Sequence, residues 1–208
     1  MTYWDHNATA PLRPAAKAAV LKALELTGNP FSVHAAGRAA RAMVETAREQ
    51  VAAFAGADPR EVIFTSGGTE ANALALRGAV AAALEGGERI TRLLVAATAH
   101  DSVLSVAASL AETVPGLRLT IIPVNSNGRI EAGEFRALLM NGKGRALVSL
   151  ILTNNETGVI EDVAALNAIL RTEGGEDSLL HVDAVSNGYS EMRFSAWGAD
   201  YLSLASHK

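Results

Sequence analysis

Beyond residue 60 the chain switches repeatedly between two hydrophobic periods. Short apolar runs of four to eight residues stand at 61–65, 93–97, 117–124, 146–152, 179–182 and 201–205. Stretches with apolar residues at helical spacing lie between most of them, at 69–84, 101–113, 132–140 and 162–172. Runs of strand length with no internal polar alternation suit strands buried on both faces, and each intervening helix supplies a crossover. The pattern predicts an α/β fold, a mainly parallel sheet with helices on both faces. Turn chemistry agrees, with NSNG at 125–128 and EGGE at 173–176 as punctuation and a turn expected around Trp197 and Gly198 in the connection 187–200. Two helices precede the alternation. Pro14 suits a first helical position in a helix running to Leu26, and Ser32 is a candidate cap for a second helix that ends at Gly56.

With 208 residues the chain can form one large α/β domain, or one domain and part of another. A formal net charge of -4, with no basic cluster, argues against a nucleic-acid binder. The absence of cysteine excludes disulfides and thiolate metal sites. The N-terminal MTYWDHNATAPLRP lacks the basic start and apolar core of a signal peptide, and no run approaches the length of a membrane span. A cytoplasmic enzyme is the default expectation.

Ligands in open α/β sheets bind beyond the carboxyl ends of the strands. Those ends read TSGGTEAN (65–72), TAHDS (98–102), TNNETG (153–158), HVDAVS (181–186) and ASHK (205–208). In the first, two glycines permit close backbone approach and Thr69 opens a helix whose free amides favour a phosphate. An ordinary threonine cap, with glycine making the turn, explains the same residues. Asp183 closes an apolar strand, where it could cap, join a structural ion pair, or face a protonated ring nitrogen. His100 could be a plain loop histidine, and Asn154, Asn155 and Glu156 plain turn residues. Taken together, a phosphate cradle, a carboxylate, a histidine able to stack and a lysine are what pyridoxal phosphate (PLP) requires.

Seven stretches also carry a family resemblance: DHNATAPLRP, GNPFSVHAAGRAAR, ADPREVIFTSGGTEANALALRGA, AHDSVL, TNNETGVIEDV, LLHVDAV and GADYLSLASHK. In this order, and covering nearly the whole chain, they resemble the cysteine desulfurases of the class V aminotransferase group. The resemblance implies the PLP-dependent transferase fold, with residues 1–14 belonging to the small domain and 15–208 to an incomplete large domain. It implies that Gly68, Thr69 and His207 bind the cofactor phosphate, and that His100 stacks on the ring and moves protons. Asn155 would approach the ring oxygen, Asp183 would pair with the ring nitrogen, and Lys208 would hold the cofactor covalently. No metal is implied.

Three positions depart from the family pattern. Ser186 stands where the family has Gln, and Ala205 where it has a phosphate-binding Ser, with Ser206 next door as a substitute. His6 replaces a Tyr or Asn. The resemblance further implies L-cysteine as substrate, L-alanine as product, and sulfur passed to a thiol as persulfide, within iron-sulfur cluster assembly. Implied partners are a second copy of the chain in a homodimer and a sulfur acceptor or iron-sulfur scaffold. Other class V reactions (selenocysteine lyase, aminotransferase) and a non-catalytic binding or assembly protein are the alternatives. Ending at the cofactor lysine, about halfway through the family's usual length and with no cysteine, the chain is expected to be inactive alone.

Overall fold

A computed structural model of the protein describes residues 2–175, 177–187 and 194–208. Among them the chain divides into two compact units: residues up to Phe64 with Phe194 and His207 in one, and Thr65 onward with Lys208 in the other.

The first unit contains α1 (Pro14–Leu24), α2 (Ala35–Ala55) and a single 3-10 turn, Pro59–Glu61. Pro14 opens α1, as its fixed φ favours. α2 is capped by His34, whose side chain accepts from the Gly37 N–H, and not by Ser32, whose own N–H donates to Asn29 O in the preceding turn. Gly56 ends α2 at φ 70°, a left-handed conformation that glycine adopts without penalty. The run at 61–65 is not a strand. Asp58 and Glu61 form a reciprocal capping box that draws Glu61 into the 3-10 turn, and Ile63 and Phe64 are exposed with no ladder partner among the described residues.

The second unit is the α/β body. Its strands are β1 (Ile90–Ala96), β2 (Arg118–Ile122), β3 (Arg145–Ile151), β4 (Leu179–Asp183) and β5 (Tyr201–Ser203). All pair in parallel, in the order β2-β1-β3-β4-β5. Its helices are α3 (Gly68–Glu85), α4 (Asp101–Thr113), α5 (Ala132–Met140), α6 (Val163–Glu173) and, apart from its first residue, the short α7 (Phe194–Trp197). The path from β1 to β2 runs one way along the sheet, whereas β2 to β3 and β3 to β4 run the other. Right-handed crossovers therefore put α4 on one face and α5 and α6 on the opposite face. The packing agrees, with α3 against α4 and α5 against α6.

Both faces of the central strands are covered, which is why β1 and β3 are mostly apolar and almost wholly buried. Leu76, Ala79 and Val80 of α3 meet Leu93 and Val95 of β1 and Val103, Ala107 and Leu110 of α4 in one core. Strand order reverses between β1 and β3, so the crevice expected of such sheets opens beyond Ala96 and Ile151. Glu176 of the EGGE turn and residues 188–193 of the 187–200 connection lie outside the described residues. The end of that connection carries α7 and then Gly198 at φ 60°.

Candidate active site

Three sequence-predicted residues flank the reversal of strand order or the strand beside it. His100 follows β1, Asn155 follows β3, and Asp183 is the last residue of β4. The loops after β1 and β3 are tied together by Asn154, whose Nδ2 donates to Thr98 O at 3.0 Å. The Asn154 Oδ1 accepts from the N–H groups of Glu156 and Thr157, at 3.0 and 2.8 Å, so it shapes the turn that presents half-buried Asn155.

Helix α3 begins one residue before Thr69. Its N-cap is Gly67, no side chain caps it, and Thr69 sits exposed in the first turn. A threonine cap is therefore not what these residues make. The first-turn amides are left to another acceptor, and no atom lies within 4 Å of where a side chain on Gly67 would begin. Gly68 has the opposite surroundings. A Cβ there would stand 2.6 Å from Val185 Cγ2, so the glycine lets α3 approach the loop after β4. Ser66 N–H donates to the Glu70 carboxylate at 2.6 Å, and the Ser66 hydrogen bond holds that carboxyl below its ordinary value.

Asp183 is 4% exposed. Its Oδ1 accepts from Val185 N–H at 3.0 Å and its Oδ2 from Asn72 Nδ2 at 2.8 Å. No ion pair to Asp183 exists among the described residues. A carboxylate desolvated to this degree, with two donors and no cation, has capacity for a further charged donor. His100 is exposed and caps α4, its Nδ1 accepting from Ser102 N–H at 3.1 Å and lying 2.8 Å from Ser102 Oγ. Ser102 Oγ in turn accepts from Asn72 Nδ2 at 3.1 Å. One hydrogen-bonded chain thus joins Asp183, Asn72, Ser102 and His100.

Lys208 and Ser186 also come together, with Nζ 3.5 Å from Ser186 Oγ. Ser206 is exposed in the turn after β5. His207 belongs with the N-terminal unit, where its carbonyl accepts from Ala10 N–H at 2.7 Å. Two residues before Asp183 and on the same face of β4, His181 is fully buried between Ser149 Oγ at 2.8 Å and Ser203 Oγ at 3.0 Å. Burial pushes its imidazole down to about 4.

Asn72 and Ser102 have no role in the sequence reading, although both stand in stretches it singles out. A usable signal existed for Asn72. It lies four residues after Gly68, on the same side of α3, at a helix-interior position where asparagine has poor propensity. No comparable signal marks Ser102, which reads as an ordinary first-turn serine.

The parallel sheet thus brings an uncapped helix terminus, a buried carboxylate and a lysine to its strand ends. The aminotransferase class-V family model matches residues 2–208, and the chain belongs to that family, whose members depend on PLP. It is 36% identical over 209 residues to an IscS-like cysteine desulfurase of Mycobacterium tuberculosis, covering 100% of this chain and 52% of that protein. It is 35% identical over 211 residues to the cysteine desulfurase IscS of Proteus mirabilis, covering 99% and 50%. The solved structure of a NifS-like protein from Rickettsia africae superposes with a TM-score of 0.84 at 28% identity, covering 100% of this chain and 54% of that one. The chain spans about half the length of the curated relatives it matches.

Proposed function

We propose that the protein binds PLP at these strand ends and acts as a cysteine desulfurase. The observation that carries the cofactor reading is Asp183, buried at a strand end with two hydrogen-bond donors and no ion pair among the described residues. The residues fit the group. The uncapped first turn of α3 would bind its phosphate, with open space at Gly67, and Ser206 would add a donor. Asp183 would accept the ring N–H, Asn155 would approach the ring oxygen, and exposed His100 would cover a ring face. Lys208 would hold the cofactor covalently, with Ser186 steadying the amine from 3.5 Å.

Bound there, PLP supplies an electron sink for charge developing at the substrate Cα. Lys208 and His100 would move the protons, His100 being an imidazole with a solvent-facing ring. L-cysteine as substrate rests on the kinship with cysteine desulfurases. A thiolate takes the sulfur as the C–S bond breaks, becoming a persulfide, and Cβ gains a proton to give L-alanine. This sequence has no cysteine, so the thiolate comes from outside it. A homodimer, and the allocation of 1–14 to the small domain and 15–208 to the large one, belong to the same proposal.

The test is a titration of the protein with PLP, followed by its visible absorbance. Wild type is expected to saturate, and Asp183→Ala to bind at least about tenfold more weakly, the loss of one charge-assisted hydrogen bond. Equal binding by the two proteins would contradict the reading. On the loaded protein, L-cysteine should perturb the band at lower concentration than L-serine.

A further inference from the structure

The hydrogen-bonded chain between Asp183 and His100 has a direction, and the direction follows from the chemistry of its members. Asn72 is 1% exposed and presents one face of its amide to Asp183 Oδ2 at 2.8 Å. A carboxylate oxygen only accepts, so the atom facing it is Nδ2, because the flipped amide would set oxygen against oxygen. The second Nδ2 hydrogen then goes to Ser102 Oγ at 3.1 Å. With its oxygen accepting from Asn72, the Ser102 hydroxyl has its proton free to donate to His100 Nδ1 at 2.8 Å. Ser102 N–H donates to the same nitrogen at 3.1 Å. Two donors on Nδ1 exclude a proton there in the neutral ring, and the imidazole proton resides on Nε2.

We infer that Asn72 and Ser102 are positioning residues, which transmit the orientation imposed by Asp183 to His100 and fix it as the Nε2–H tautomer. His100 then exchanges protons through Nε2 alone. A second observation points the same way. Asn72 Oδ1 is buried without a hydrogen-bond partner. An amide that leaves its own acceptor unsatisfied is poorly chosen for stability, and here the two donors it provides are its contribution. Because His100 caps α4 and Asn72 lies in the second turn of α3, the relay also couples the N-terminal parts of these two helices.

The significance of the relay for catalysis rests on the proposed function, but its existence does not, and the test separates the two. The imidazole nitrogen resonances of 15N-histidine-labelled protein, without cofactor, report the tautomer, with His100 assigned by its loss in His100→Gln. Wild type should show Nδ1 unprotonated and shifted as a hydrogen-bonded acceptor. Ser102→Ala should shift Nδ1 part of the way towards an unbonded acceptor, since the backbone N–H of residue 102 still donates to it, and Ser102→Thr should restore the wild-type shift. Asn72→Leu should produce a smaller movement, since the freed hydroxyl can still donate. If Asn72→Leu does not fold, the Ser102 pair decides. A protonated Nδ1 in wild type, or an Nδ1 resonance unmoved in Ser102→Ala, overturns the relay. If the relay resonances behave as stated but no PLP binds, only the proposed function fails. PLP binding with unmoved resonances sinks the relay alone.

Discussion

Gly68 carries no side chain because Val185 stands where one would be. That contact joins the helix terminus proposed for the phosphate to the loop that begins at Asp183, and it gives a direct prediction. Gly68→Ala should cost about 1–3 kcal/mol in urea unfolding, the usual cost of overpacking. In a Val185→Ala background the same substitution should cost clearly less, since the clashing methyl is gone. Equal costs in both backgrounds would mean that Val185 does not impose the glycine. The sequence shows glycine at 67 and 68 but cannot say that the two have different reasons, open space at one and a close approach at the other. The same holds for Asn72. Its polar amide is visible in the sequence, whereas its pairing with Asp183, 111 residues away, depends on the sheet bringing α3 to the end of β4.

At the scale of elements, His181 ties three strands together. Its ring bridges Ser149 of β3 and Ser203 of β5, so a neutral imidazole serves as a polar strut across one face of the sheet just before Asp183. Its ionisation is held down by burial, from 6.5 to about 4 in the folded protein. Between those values the unfolded chain binds a proton that the folded chain does not. Stability should therefore fall as pH drops from 6.5 towards 4, by up to about 1.4 kcal/mol per pH unit from this group, and level off below. Urea unfolding across this range should give a flatter dependence for His181→Gln than for wild type, and parallel curves would contradict the assignment.

Element boundaries were legible where local chemistry sets them. Asp101–Thr113 and Ala132–Met140 match the expected helices at both ends. Strand ends depend on partners instead. The apolar run 201–205 continues past Ser203, but pairing stops there because β4 ends opposite it at Asp183. The run 61–65 has strand composition and, among the described residues, no strand to join.

For the molecule as a whole, strand order matters more than any single contact. Placing β1 and β3 side by side with β2 outside creates the reversal at which His100 and Asn155 emerge, with Asp183 and Lys208 one and two strands further along. The alternation of periods made the α/β class readable, yet the order of the strands is a property of the crossovers and was not. Among the described residues no helix is long and apolar enough to cross a membrane. The central claim is that this sheet holds PLP on Lys208. Four lysines are available, Lys17, Lys22, Lys143 and Lys208, so the claim can be tested by position. The protein should be loaded with PLP, reduced with borohydride, digested and mapped by mass spectrometry. The account predicts the reduced adduct on Lys208 at near one per chain and its disappearance in Lys208→Ala. An adduct spread over Lys17, Lys22 and Lys143, or one that persists in Lys208→Ala, would contradict it.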